Sequence, residues 1–468
     1  MDDSVMRILQ LLQDGKITAQ EAETLIATLK GETREGGDAK AKPKEWDGQK
    51  RPERPREHGA PKIDLDDLGE KISRAVSRIA PERIARQLQV QLRCASQTGA
   101  HWGANVSNRV RIWTDGDDSR PVNTASHPEH AETNESEHHL EHGAYVSVEN
   151  PAGNVRITGV DSDVASVVIR KVAWGATSNE AVANAALYRV ETHGTDTRLD
   201  VKVSVPEYLR RGTVDIEMRL PKASTLRATT RFGEAAVFQL NERAEIVTVS
   251  GSLTTADMGG DVRGETVSGE LSAERIGGAA ALASQSGDIR AADIRRGITA
   301  STASGDVSVN RVEGGRVECK SISGDVTVAD AASEAPLDIS VESVSGDVSL
   351  RNGNGNITLK TVSGDANGTG LAANRIQSQT VSGDISLELV QPFSGAMQIN
   401  SISGDVHAAI PDGSNVRVAM NTTSGDVGCE LSAQDVTATD TMWHGQIGTG
   451  AGSVTIHTIS GDSRIKRA

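Results

Sequence analysis

The sequence predicts a mainly β chain: a β-solenoid, single-stranded β-helix-like, with coils of roughly 18–22 residues, preceded by a helical hairpin and a second amphipathic helical segment. Three observations carry that expectation. First, Ser-Gly-Asp or a one-letter variant recurs, with central glycines at Gly251, Gly269, Gly287, Gly305, Gly324, Gly346, Gly364, Gly383, Gly404, Gly425 and Gly461. The steps are 18 to 22 residues except the last, 36, which reads as two periods of 18. A fixed period of this size marks one structural unit stacked many times. Second, apolar residues alternate on both sides of the tripeptide, as in Val317, Cys319 and Ser321 before Ile322 and in Val326-Thr327-Val328 after Asp325. Alternation is the signature of a strand with one buried face. Third, aromatic residues are only 2% of the chain, so Val, Ile, Leu and Ala must fill the core, which suits thin stacked coils.

The tripeptide has a plain turn chemistry. A sharp corner needs positive φ, which Gly adopts without steric cost, and Ser and Asp hydrogen-bond local backbone at such corners. A calcium ladder is the alternative. Stacked carboxylates about 5 Å apart repel by roughly 1 kcal/mol in water, so they must be solvated, hydrogen-bonded or bridged. The Gly-Gly-x-Gly-x-Asp nonapeptide of calcium β-rolls is absent, and Ser252 and Glu270 replace Asp in two units. The turn reading is therefore preferred, and no metal or cofactor is expected.

Taken in order, residues 1–30 read as a helical hairpin. Val5, Ile8, Leu9 and Leu12 form an apolar stripe, Asp14-Gly15 ends the first helix, Thr18 to Glu21 is a capping box, and Leu25, Ile26 and Leu29 continue the apolar face. So short a hairpin cannot bury a core alone, so it is expected to mediate self-association or to dock on a protein partner. Residues 31–61, rich in Lys, Arg, Glu, Gly and Pro, read as a disordered linker. Residues 62–93 read as an amphipathic basic helical segment. Its apolar face holds Ile63, Leu65, Leu68, Ile72, Val76 and Ile79, and Pro81 divides it from a run with Ile84 and Leu88. Such a segment suits an anionic membrane surface or its own protein. Residues 94–143 read as a polar linker with His127, His130, His138, His139 and His142, and residues 144–468 as the solenoid.

The net charge of −15 argues against nucleic acid as a partner. Three distant cysteines, Cys94, Cys319 and Cys429, imply no disulfide framework. No secretory signal and no apolar run long enough to span a membrane is visible, so a protein that is cytoplasmic or peripheral to the membrane or envelope is expected.

Two motifs carry a resemblance. Leu220-Pro221-Lys222-Ala223-Ser224-Thr225-Leu226, leading to Phe232-Gly233-Glu234, has a second copy in Ile410-Pro411-Asp412-Gly413-Ser414, leading to Ser424-Gly425-Asp426-Val427. With the Val-Ser-Gly-Asp runs, they make residues 144–468 resemble the bacterial putative-adhesin β-strand-repeat family, a domain of unknown function. Ile8 to Thr18 followed by Glu21-Ala22 is similar to a SHOCT-like helical domain, and the combination resembles the LiaX/YvlB type of cell-envelope stress protein. The resemblance implies a non-enzymatic scaffold or binding protein of the envelope and supplies no catalytic residues. Two alternatives are a carbohydrate-active β-helix enzyme, which needs two positioned carboxylates, and a bactofilin-like polymerising solenoid, which needs uncapped ends.

Overall fold

A computed structural model of the chain describes residues 128–206 and 211–468. The hairpin of 1–30 with Ile8, Leu9, Leu12, Leu25, Ile26 and Leu29, the linker 31–61, the segment 62–93 and residues 94–127 lie outside the described residues. The described residues belong to one compact unit, Leu65–Ala468.

Each coil gives one strand to each of two parallel sheets. The leading sheet takes the strand that enters the Ser-Gly-Asp corner, and the trailing sheet takes the strand that leaves it. Strand Ile298–Ser304, for example, enters the corner at Gly305, and Val307–Val312 leaves it. Successive coils stack in register: Ile298 lies on Val317 and Ala300 on Cys319 in the leading sheet, and Val307 lies on Val326 in the trailing sheet. The inward side chains of both sheets, such as Ala300, Val309, Cys319 and Val328, are at most 1% exposed and form one thin continuous core. Alternation in the sequence is thus two-sheet burial.

A second corner falls within or directly after seven successive trailing strands, from Ala235–Phe238 to Val348–Arg351. Gln239, Asp257, Arg275, Asp293, Arg311, Asp330 and Asn352 have φ between 54° and 61°, the left-handed region. In Val307–Val312 the kink at Arg311 brings Val307, Val309 and Val312 inward, so the apolar spacing is two and then three. Stacked corners also pair charges: Arg275 donates to Asp257 and Arg311 to Asp293 across adjacent coils. Asn and Asp tolerate this backbone, whereas Arg does so at a cost.

The coils do not stack in chain order at either end. In the trailing sheet the last strand, Ser463–Arg467, lies between Val406–Ile410 and Val427–Cys429. In the leading sheet Gly452–His457 lies between Ala396–Asn400 and Val416–Asn421. The first coil does the same, since Tyr145–Asn150 sits between Arg198–Ser204 and Thr225–Thr230. Val155–Val160 likewise sits between Gly212–Pro221 and Ala235–Phe238. The expectation that the 36-residue step holds two sequential periods is therefore corrected. Gly461 stands between Gly404 and Gly425, and the residues between Cys429 and Gly452 do not form a coil.

This order explains the Pro-containing motifs. Leu220-Pro221-Lys222-Ala223-Ser224 and Ile410-Pro411-Asp412-Gly413-Ser414 are the two places where the chain steps over an inserted coil, rising about 10 Å instead of about 5 Å. Proline removes a donor where the ladder ends. Ser414, 2% exposed, ties the second step: its hydroxyl donates to the Pro411 carbonyl and accepts from the Phe393 N–H.

Antiparallel strands close both sheets at one end and the leading sheet at the other. Val164–Trp174 pairs with Gly212–Pro221 and Glu129–His139 with Val164–Trp174, while Arg189–Thr195 covers Arg198–Ser204. The helix Ser178–Leu187, capped by Thr177, packs beside Val164–Trp174. At the other end Met442–Ile447 and Gln434–Ala438 cover Val416–Asn421. Residues 129–139, expected within a polar linker, are thus an edge strand. Its polar pattern reflects its place: an outermost strand studded with Glu and His resists pairing with another chain.

Candidate functional site

The eleven glycines of the sequence repeat, joined by Gly153 and Gly233, form one column of thirteen corners. The eleven have φ between 134° and 150°. A Cβ at any of them would meet the carbonyl oxygen of the neighbouring corner glycine at 2.0–2.5 Å. Two constraints therefore select Gly, backbone conformation and the closeness of the next coil. At about 4.8 Å per step the column is about 58 Å long.

The Asp residues beside it are joined one to the next. The Asp306 N–H donates to Asp288 Oδ1 at 3.0 Å, Asp325 to Asp306 at 2.9 Å and Asp347 to Asp325 at 2.9 Å. The series continues through Asp365, Asp384, Asp405 and Asp462 to Asp426, following the spatial order of the coils. Each carboxylate thus accepts from the backbone of the next coil, which offsets the mutual repulsion of stacked charges. At the other end Asp215, Asn154 and Glu234 begin a similar chain.

A buried hydroxyl column runs behind the corner, two residues before each Ser. Thr302 donates to the Gly287 carbonyl at 3.1 Å, Ser321 to Gly305 at 3.0 Å, Ser343 to Gly324 at 2.9 Å, Thr361 to Gly346 at 2.9 Å and Thr380 to Gly364 at 3.3 Å. Thr230, Thr248, Thr266 and Ser284 occupy the same place in earlier coils without a partner among the described residues. Sequence reasoning passed over this column, although a Thr or Ser two places before each Ser was its visible signal.

Outward, the residue before the Ser forms a largely aliphatic row, broken by Gln285 and Thr423, and the Ser itself forms an exposed row joined by parallel bridges such as Ser345 to Ser363 and Ser363 to Ser382. Across six adjacent coils the aliphatic row is Ile322, Val344, Val362, Val381, Ile402 and Ile459, all half-buried. The edge therefore carries three parallel rows: aliphatic, hydroxyl and carboxylate.

Beside it, on the leading-sheet face, lies a shallow polar groove of about 370 Å³ lined by Arg316, Asp338, Ser340, Glu342, Asn356 and Lys360, among others. Its charges satisfy one another. Lys320 reaches Glu318 at 2.7 Å and Glu342 at 3.4 Å, and Lys360 reaches Glu342 at 3.8 Å. Burial works against the Lys320 ammonium, but its bond to Glu318 and the charge of Glu342 outweigh it and raise its pKa above the usual lysine value. Cys319, fully buried, has its thiol pushed up to about 12 by burial first and by the Glu318 charge second, so it is a core filler rather than a nucleophile. Among the described residues no cluster of three His, Cys, Asp or Glu is placed to hold a metal. His130 lies beside Glu132, and His139 faces Asp196.

Two parallel sheets, a glycine corner column and antiparallel caps define a β-solenoid of stacked repeats. Residues 144–466 match the Toastrack DUF4097 model, and the chain belongs to that family; residues 3–34 match a SHOCT-like domain. Among solved structures the chain is similar to a putative cell adhesion protein from Clostridium sporogenes (9% identity, 72% of this chain and 100% of that one, TM-score 0.17). It is similar also to a putative lipid binding protein (13%, 72% and 96%, TM-score 0.22) and a putative adhesin (10%, 71% and 97%, TM-score 0.25), both from Parabacteroides distasonis. No curated protein matches the chain.

Proposed function

We propose that this chain is a non-enzymatic scaffold of the bacterial cell envelope, active in the envelope-stress response, which assembles through its SHOCT-like hairpin and presents the Ser-Gly-Asp edge as its binding surface. The supporting observation is the edge itself: one chemical row repeated coil after coil, its carboxylates taken up by backbone N–H groups rather than gathered around a reaction centre. A glycosidase would instead set one carboxylate pair apart in a cleft. A polymerising solenoid would leave its parallel edges open, whereas here antiparallel strands cover both sheets at one end and the leading sheet at the other. No helix among the described residues is long and apolar enough to cross a membrane, which fits peripheral association.

Sedimentation of the full chain and of residues 35–468 tests assembly: a larger species is expected for the full chain only, and identical monomers would remove the role of the hairpin. Fractionation of cells before and after envelope stress tests location. Recovery in the membrane fraction is expected to rise, and a purely soluble distribution in both states would sink the envelope reading.

A further inference from the structure

Asp288 and Asp462 of the carboxylate row pair with Arg290 and Arg464, but the stretch between Asp325 and Asp405 lacks cations. No Lys or Arg among the described residues lies within ion-pair distance of Asp325, Asp347, Asp365, Asp384 or Asp405. Beside that row runs the unpartnered aliphatic row from Ile322 to Ile459, which spans five coil steps, about 24 Å. Residues 128–468 hold 44 Asp and Glu against 28 Lys and Arg, so the acidity of the chain resides in the solenoid. The complement lies in the same chain. Residues 65–93 hold Lys71, Arg74, Arg78, Arg83, Arg86 and Arg93 against Asp66, Asp67, Glu70 and Glu82, and from Lys71 onward Glu82 is the single acid. Leu65, Leu68, Ile72, Val76 and Ile79 give this region an apolar stripe which, read as helix, is about 21 Å long.

We propose that the basic amphipathic segment 65–93 docks in cis along this edge, its apolar stripe on the aliphatic row and its arginines over the carboxylate row. The proposal rests on the edge being the binding surface, and it names the occupant. Reach permits it. The 34 residues between Arg93 and Pro128 span at most about 125 Å, whereas the coil of Ile459 lies about 60 Å from the N-terminal end of the stack. The match is of length, hydrophobicity and charge together. Docking would cover the aliphatic row, supply the missing cations and keep the segment from anionic surfaces until it is released.

The test is photo-cross-linking of the full chain bearing p-benzoylphenylalanine at Val362 or, separately, at exposed Ser363, with Ser308 on the trailing-sheet face as control. Intramolecular cross-links from both edge positions to peptides within 65–93 are expected, with none from Ser308. The yield is expected to fall about five-fold or more in the Arg74→Glu/Arg78→Glu chain and on raising salt from about 0.05 to about 0.5 M, because surface charge attraction is screened. Cross-links to any other region, or none, overturn the docking. Cross-links between copies overturn docking in cis while leaving assembly standing; monomers in sedimentation remove assembly while leaving the docking standing. In a parallel arm with phosphatidylglycerol vesicles, vesicle binding by a chain that never forms the edge cross-link would make the segment a membrane anchor and overturn the proposal.

Discussion

Thr361 and Thr266 occupy the same place in different coils, and replacing each by Val should move stability in opposite directions. Both are buried, at 4% and 2% exposure. Thr361 Oγ1 donates to the Gly346 carbonyl at 2.9 Å, whereas the Thr266 hydroxyl has no partner among the described residues. Val has nearly the same shape and suits a strand equally well, so the change isolates the hydroxyl. Thr361→Val removes a hydrogen bond and strips a corner carbonyl of its donor, a loss of about 1–3 kcal/mol. Thr266→Val removes a buried, unmatched polar atom and should be neutral or stabilising by about 1 kcal/mol. Solenoid stability is close to a sum of neighbouring-coil terms, so the readout is twofold: the urea midpoint, and hydrogen exchange of amides in the coils on either side. Faster exchange around Gly346 in one variant and unchanged exchange around Gly251 and Gly269 in the other is the expected pattern. Equal destabilisation by both substitutions would refute the claim that the hydroxyl column holds the corners by hydrogen bonding.

Gly346→Ala should cost about 3 kcal/mol or more, because φ is +148° and the new Cβ would stand 2.3 Å from the Gly324 carbonyl oxygen; Gly428→Ala, with nothing within 4 Å, should be nearly neutral, and equal thermal midpoints would contradict this. Deleting residues 452–468 should release more than one coil, since their removal leaves Ala396–Asn400 and Val416–Asn421 two steps apart; limited proteolysis should cut within 411–450, and a protease-resistant 411–450 would argue against the interlocked order. Burial first, and then the charge of His444, lower the His457 pKa below its usual value of 6.5. Because the unfolded chain takes up the proton more readily, the stability that His457 contributes is present above about pH 6.5 and is lost as pH falls below it. A urea-midpoint profile that does not flatten there in His457→Gln would count against this.

Much of this architecture was legible in the sequence because a repeat writes its corners in one place per coil. Gly251 through Gly404 mark every coil in order, and alternation around Val326 and Val328 marks the buried face. The order of the last coils was not legible. A 36-residue step between Gly425 and Gly461 is compatible with two sequential coils or with an excursion and a return, and strand pairing is chosen by contacts far apart in the chain. The Pro motifs held that information, but only the structure shows that they step over an inserted coil. The second corner was hidden because Asp293 and Arg311 look like ordinary surface residues, and their left-handed φ comes from the coil closing on itself. The strand 129–139 was missed because it buries little and carries the charges of an edge.

The interlocked ends bear on how a thin core can be stable. A sequential solenoid can fray from its last coil, since that coil has one neighbour. Here the last coil in sequence has two neighbours, and the coil that is last in space, 416–429, is covalently followed by the antiparallel cap and then by the inserted strands. Peeling 416–429 from that end must break its pairing with Gly452–His457 and Ser463–Arg467 on one side and with the antiparallel strand Met442–Ile447 on the other. At the other end Arg198–Ser204 and Gly212–Pro221 are likewise held between an inserted strand and an antiparallel one. Fraying is thereby shifted from a one-coil event toward a cooperative one. The Asp row depends on this rigidity. Its carboxylates stay hydrogen-bonded to the next coil only while successive coils hold their spacing, so clamped ends are what let a row of like charges persist along a single exposed edge.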